Sequence, residues 1–289
     1  VRTGGGAGIH EARVERLNDV GPRAGAYVLY WMQQSQRAEW NHALEYAVLR
    51  ANERNLPVLA AFGLMDDYPE ANARHYAFML EGLRETQDAL VRRGIAFTVR
   101  RGQPAAVALE LAQDAALVVC DRGYLRHQKA WRSRVAREAA RSVVQVECDA
   151  VVPVDIASGK AEYAARTIRP RIHRHLDEFL VAPRSIRPLR PWTGRWPHGV
   201  ELDDVGALLA DLAVDRRVPP VTHAFRGGTT HATNRLRRFL RALPGYAEGR
   251  AHPEAGHVSQ LSPYLHFGQI SPLRIALTVK RARAPAADR

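Results

Sequence analysis

Five short apolar runs recur in the first half of the chain, and none shows the sustained polar alternation of a half-exposed strand. They are Ala26–Trp31 (AYVLYW), Pro57–Leu64 (PVLAAFGL), Ile95–Val99 (IAFTV), Ala116–Cys120 (ALVVC) and Ser142–Val146 (SVVQV). A strand with one wet face alternates with period two. A continuous aliphatic run is buried on both faces, as a parallel strand covered by helices must be. Helix-period segments separate the runs. Ala43, Leu44, Ala47, Val48 and Ala51 share one face of Arg37–Asn55, and Tyr76, Met79, Leu80, Leu83, Leu90 and Val91 share one face of the next segment. Gly94 stands where a C-cap glycine belongs, Pro104 opens a helix to about Ala112, and Gln128–Arg141 reads as a basic helix. Five β–α units predict an α/β doubly wound parallel five-stranded sheet over residues 24–155.

The rhythm then stops. Residues 156–225 hold seven prolines with short helical pieces at Ile172–Leu180 and Val205–Ala213, and read as an interdomain linker. From 226 the pattern is helical, at Ala232–Ala242 and Ser271–Arg283. Residues 226–289 read as the beginning of an all-α domain. Residues 1–23, with the glycine-rich stretch Thr3–Gly8, read as a flexible N-terminus.

The charge narrows the partner. The 289 residues carry 42 Lys+Arg against 30 Asp+Glu, a net +12, and all but three of the basic residues are arginine. Arginine forms bidentate bonds to phosphate, so the balance points first to nucleic acid and second to an anionic membrane. GC-rich coding is a competing source of the arginine preference. The two cysteines, Cys120 and Cys148, lie at or beside apolar runs and read as buried, reduced thiols of a cytoplasmic protein. The apolar run Ala26–Met32 is too short for a membrane span.

Common site motifs are missing. There is no GxGxxG after the first strand, no GxxxxGK[ST] and no GxSxG. His173 and His175, two residues apart, do not share a helix face, and no metal site is expected.

Three blocks remain. They are Tyr30-Trp31-Met32 with Gln36–Leu44 (QRAEWNHAL), Glu162–Pro170 (EYAARTIRP) and Ser259–Ser271 (SQLSPYLHFGQIS). Together they resemble the class II cyclobutane pyrimidine dimer photolyases, within the photolyase/cryptochrome family. The third block is the most specific, and the likeness covers about residues 24–289. The resemblance implies an N-terminal antenna-type α/β domain, a linker, and a helical domain that holds FAD. It implies light-driven repair of UV-damaged DNA by electron transfer from reduced FAD, with an antenna chromophore of deazaflavin or folate type, in a monomer. The hard chemistry would be the cofactor's, so the lack of a general acid–base constellation is no objection.

The resemblance assigns cofactor-binding roles to Tyr246, Arg250, Val258, Ser259, Gln260, Leu261 and Ser262. Hydroxyls and backbone N–H groups leading into a helix suit a pyrophosphate. Many relatives carry Thr at the position of Val258, which here offers no hydroxyl. Ser262-Pro263 also reads as an ordinary helix start, and His266 and Phe267 as packing residues. Arg166 and Arg169 suit a structural salt bridge or an interdomain contact. Trp31, Met32 and Trp40 suit either the core or an antenna cleft at the strand ends. The basic segment Arg122–Arg141 suits a solvated face or a DNA-facing field. The resemblance also implies that the electron-transfer and lesion-binding residues lie beyond Arg289, so no catalytic residue is named. On this reading the chain is C-terminally truncated and does not close a FAD pocket alone. Two other readings stay open: a cryptochrome-like blue-light photoreceptor, and a non-catalytic nucleotide- or DNA-binding α/β fragment. A nucleotide-activating enzyme of the same broad group is a weaker third, without phosphate-loop or HxGH-type motifs.

Overall fold

The computed structural model describes residues 9–252, 254 and 256–285. Its centre is a sheet of six strands: β1 (Val14–Arg16), β2 (Tyr27–Met32), β3 (Val58–Leu64), β4 (Ala96–Arg101), β5 (Ala115–Asp121) and β6 (Val143–Val146). The spatial order is β1-β6-β5-β2-β3-β4. The five predicted strands pair in parallel and form the doubly wound part. The sixth corrects the predicted count. β1 pairs antiparallel with β6, Val14 opposite Val146. Three residues are too few for a period to show, and the strand exists because it covers the open edge of β6. It also corrects the reading of residues 1–23 as flexible, from residue 9 onward. Ile9 is buried, and the buried Arg13 guanidinium donates to the carbonyls of Glu147, Ala150 and Val151. The glycine-rich Thr3–Gly8 stretch lies outside the described residues.

The doubled burial of the strands is visible residue by residue. Val28, Tyr30 and Met32 of β2 face helices α1 (His42–Glu53) and α2 (Ala73–Arg92). Tyr27, Leu29 and Trp31 face α3 (Pro104–Ala112) and α4 (Arg126–Glu138). Both thiols are free and fully buried, and burial pushes Cys148 up to about 12. No described helix is long and apolar enough to cross a membrane.

The proline-rich stretch is more tightly fastened than its composition suggests. It contains α5 (Val154–Ala157), α6 (Ala165–Phe179) and α7 (Val205–Asp211). Leu202, Leu208, Leu212 and Val214 enter the main core. Trp192 N–H donates to the carbonyl of Gly94 and Val200 N–H to that of Val99, so the segment screens the β4 edge of the sheet.

Among the described residues four further α-helices follow: α8 (Thr229–Ala242), α9 (Tyr246–Gly249), α10 (Ser262–His266) and α11 (Pro272–Lys280). They dock on α2 through Phe78, Leu236, Leu261, Tyr264 and Ile270. Polar bonds fix the register. Gln269 Nε2 donates to the carbonyl of Phe78, and its Oε1 accepts from Gly228 N–H. Gly268 makes this possible. Its φ is +64°, and a Cβ there would lie 1.9 Å from the carbonyl oxygen of Gln34. Gly268→Ala is therefore expected to destabilise the chain by about 2 kcal/mol or more in urea unfolding. Gly21→Ala, with nothing within 4 Å of its added Cβ, is the control and should leave the midpoint unchanged.

Candidate functional site

Doubly wound sheets bind ligands outside the carboxyl ends of their strands, where the strand order reverses. Here that point lies between β2 and β5, the two strands flanking the reversal. The loop after β2 is held there by one carboxylate. Asp121, fully buried at the end of β5, accepts from the backbone N–H groups of Gln33, Gln34 and Ser35 and from the Tyr30 hydroxyl, at 3.0–3.1 Å. Burial raises its affinity for a proton, and the three N–H groups oppose that rise.

Beside this loop opens a cavity of about 590 Å³. Gln33, Gln34 and Gln36 form one wall, and the end of β3 (Phe62, Gly63, Leu64) with Met65 and Tyr68 beyond it forms another. Tyr124, His127 and Trp131 close a third side. Tyr68 and His127 share a 2.8 Å hydrogen bond, and Trp131 lies 5.0 Å from the His127 ring. Burial lowers the His127 pKa, which favours the neutral imidazole. The Tyr124 hydroxyl pairs with buried Glu147, and burial holds its pKa far above the ordinary phenol range. Among the described residues, Nε2 and Oε1 of Gln33 and Oε1 of Gln36 are buried without a partner. A cavity with aromatic sides and a wall of glutamines suits a flat heteroaromatic ring with a polar edge.

The fourth wall is the third sequence block. Leu265, His266 and Phe267 line the cavity. Gln34 Nε2 donates to the carbonyl of His266 at 2.5 Å, and Gln128 Nε2 donates to Gln34 Oε1 at 2.8 Å. Arg37, fully buried, donates to Asp149 at 2.7 Å and to the carbonyl of Gly268 at 2.8 Å. A second hollow of about 490 Å³ lies between α2, Pro220–Phe225 and the start of α10. His75, His266 and Phe267 border both. Burial, and then the neighbouring His266, lower the His75 pKa.

The residues expected to hold a cofactor fall in two groups. Ser259, Gln260, Leu261 and Ser262 form one turn leading into α10. Ser259 Oγ accepts from Leu261 N–H, and Gln260 has φ +52° with its side-chain carbonyl bonded by Arg235. Leu261 is buried as the anchor, and Ser262 borders the smaller hollow. Val258 is exposed just before this turn. Tyr246 and Arg250 lie at the two ends of α9, where Tyr246 packs on Phe239. His257 joins the groups by bonding the carbonyl of Ala242. Neither Tyr246 nor Arg250 borders either cavity. The turn offers hydroxyls and nearby arginine to a diphosphate, which fits FAD at its phosphates. Of these seven residues, Ser262 alone lines either of the two hollows.

Of the three strand-end candidates, Met32 lines the cavity, whereas Trp31 is buried on the opposite face and Trp40 borders neither hollow. Gln36 belongs to the first sequence block, and His127 and Trp131 to the basic segment Arg122–Arg141; Gln33 and Tyr68 were not singled out from the sequence and share only a place after a strand end. The Arg122–Arg141 segment is largely engaged internally. Arg122 pairs with Glu147 and Asp155, Arg132 bonds Gln145, and Arg134 and Arg137 pair with Glu138. The salt bridge of the second block is made by Arg171 with Glu162, not by Arg166 or Arg169. No group of three metal-ligating side chains occurs among the described residues.

The loop's dependence on Asp121 can be measured. In Asp121→Asn one oxygen still accepts from Gln33 and Gln34, but an NH₂ now faces the N–H of Ser35. The expected cost is about 2 kcal/mol in urea unfolding, with faster amide exchange confined to residues 33–36.

Known proteins place this arrangement. Over 276 residues the chain is 44% identical to the deoxyribodipyrimidine photo-lyase of Methanothermobacter thermautotrophicus, covering 95% of the chain and 61% of that protein. It is 35% identical to the deoxyribodipyrimidine photo-lyase of Potorous tridactylus, covering 90% and 49%. The chain thus spans about half to three-fifths of the length of these curated relatives. A bacterial class III photolyase from Agrobacterium tumefaciens shares the fold with a TM-score of 0.72 at 22% identity, over 93% of this chain and 56% of that one. An archaeal photolyase from Sulfolobus tokodaii with two FAD molecules gives 0.62 at 17%, over 89% and 55%. Residues 28–190 match the DNA photolyase family, more than half of the sequence, and the chain belongs to that family.

Proposed function

We propose that this chain is the N-terminal part of a class II cyclobutane pyrimidine dimer photolyase, which repairs UV-damaged DNA in light. The α/β domain at 24–155, the linker at 156–225 and the partial helical domain at 226–289 are its parts, in a cytoplasmic monomer. FAD in its reduced form would supply the photoexcited electron that splits the dimer. The turn 258–262, with Tyr246 and Arg250, holds the FAD phosphates. The larger cavity takes an antenna chromophore of deazaflavin or folate type.

One observation carries this reading. The short helix α10 starts at the serine-bearing turn and ends as a wall of the larger cavity. One rigid element therefore serves both ligands. The residues here bind and orient. Ser259 and Ser262 present hydroxyls, the Arg235 guanidinium fixes Gln260, and buried Leu261 anchors the turn against α2. On the cavity side, Gln33, Gln34 and Gln36 border one edge of the ring, and Tyr68, His127 and Trp131 exclude water from its face.

The test is illumination of a dimer-containing oligonucleotide with reduced FAD and a chain extended to the length of its relatives. Light-dependent loss of the dimer is expected. Retained flavin without repair would favour the photoreceptor reading, and DNA binding without flavin the non-catalytic one. The 289-residue chain, mixed with FAD and passed through gel filtration, is expected to emerge without flavin absorption. The cavity has its own test. Gln33→Leu removes two buried, unpartnered amide atoms, so it should raise stability by about 1 kcal/mol and weaken binding of a 5-deazaflavin by about tenfold. Unchanged affinity in fluorescence titration would remove Gln33 from the site.

A further inference from the structure

The second sequence block has no part in the site described above, and its arginines face away from the core. Helix α6 packs through Ile172, Leu176 and Phe179 against Val152 and Ala157. On its outer side Arg166, Arg169 and Arg174 are exposed, and none has an ion-pair partner among the described residues. Between residues 163 and 195 the sequence carries eight arginines and two acids. That surplus of six is half of the +12 of the whole chain. Of these eight, only Arg171 makes a salt bridge among the described residues.

Tyr163 adds a second signal. It is 79% exposed, and its ring contact is with the Arg166 guanidinium, 5.9 Å from the ring centroid. Arg166 also donates to its hydroxyl at 3.3 Å. Arginines of the sheet domain illustrate the contrast: Arg122 meets two carboxylates, and so does Arg101. The helix itself is firmly seated. His10 bonds Glu178, and Arg13 lies over the Phe179 ring. Lys280 of α11 reaches Asp177, so the stripe adjoins the helices that follow the serine-bearing turn.

We propose that Arg166, Arg169 and Arg174, with Tyr163 beside them, form a nucleic-acid contact that grips the phosphates of duplex DNA away from the lesion. This rests on the reading of DNA as the partner. From Arg166 to Arg174 the helix rises about 12 Å, against a duplex with one phosphate charge per about 1.7 Å of axis. Three guanidiniums held on a packed helix meet that surface without reordering the backbone. Such contacts carry affinity and register and do not read sequence.

The experiment measures fluorescence anisotropy of a labelled undamaged duplex with the 289-residue chain over a salt series, without flavin. A triple variant, Arg166→Ala, Arg169→Ala and Arg174→Ala, should make the log–log salt slope shallower by about three and weaken binding at low salt by at least about tenfold. The matching Lys triple should keep the wild-type slope. Arg23→Ala, Arg84→Ala and Arg92→Ala together remove the same charge from exposed positions elsewhere and should change the slope little. Equal loss in both Ala triples would reduce the effect to net charge and overturn the proposal, as would no loss in either. Loss of binding to phosphatidylserine vesicles, with DNA binding intact, would overturn it in favour of a membrane surface. Because the assay uses neither lesion nor flavin, a failure to repair dimers leaves its outcome unaffected.

Discussion

The site depends on one buried carboxylate. A parallel sheet delivers all its strand ends to the same side, and the loops there must find partners for backbone N–H groups that no strand supplies. Asp121 satisfies three of them at once. The Tyr30 hydroxyl that donates to Asp121 accepts in turn from Asn41, which caps α1. Strand β5, the loop after β2 and the first α/β helix are thus fixed relative to one another by a small polar network in an otherwise apolar layer. Such a network is expensive to break and gives the loop one conformation.

From that loop the order passes to the helical part. Arg37 leaves the loop buried, pairs with Asp149 and donates to the carbonyl of Gly268. A buried ion pair adds little net stability over an apolar filling, because two charges lose their hydration. Its structural use here is geometric. The fork of Arg37 ties the ends of β2 and β6 to the turn after α10, and the turn accepts this only because Gly268 lacks a Cβ. The third sequence block therefore has two physical jobs. Its first half presents hydroxyls, and its second half, from His266 to Gln269, is a docking device.

What the sequence made legible follows from how burial shapes composition. Strands covered on both faces must be apolar throughout, so β2 to β6 could be read as runs. The long helix α2 could be read from its apolar face. β1 could not, since a three-residue edge strand carries no pattern. The proline-rich stretch was legible as non-repeating, but its leucines entering the core were not, because single apolar residues in a loop have no period. The serine-bearing turn was found through the likeness of a whole block. The cavity residues escaped as a group because Gln33 and Tyr68 come from the loops after β2 and β3 and His127 and Trp131 from helix α4, and only the strand order brings them together. Arg166 and Arg169 read as salt-bridge or interdomain residues in the sequence, in the same block as Glu162. Arg171 takes that carboxylate instead.

The placement of α10 gives the two candidate ligand regions a common mechanical origin. At five residues it is about 7 Å long, so its two ends cannot shift independently. Its start is fixed by Leu261 in the packing against α2, and its end by Gln34 and Arg37 in the polar network of the sheet. A change that loosens the loop after β2 therefore moves the wall of the larger cavity and the serine-bearing turn together. This explains why so specific a sequence block sits where it does. Hydroxyls alone would constrain the two serines, whereas docking through Tyr264, Gly268 and Gln269 constrains the rest, down to a glycine that must have positive φ and a glutamine whose amide is bonded at both its oxygen and its nitrogen.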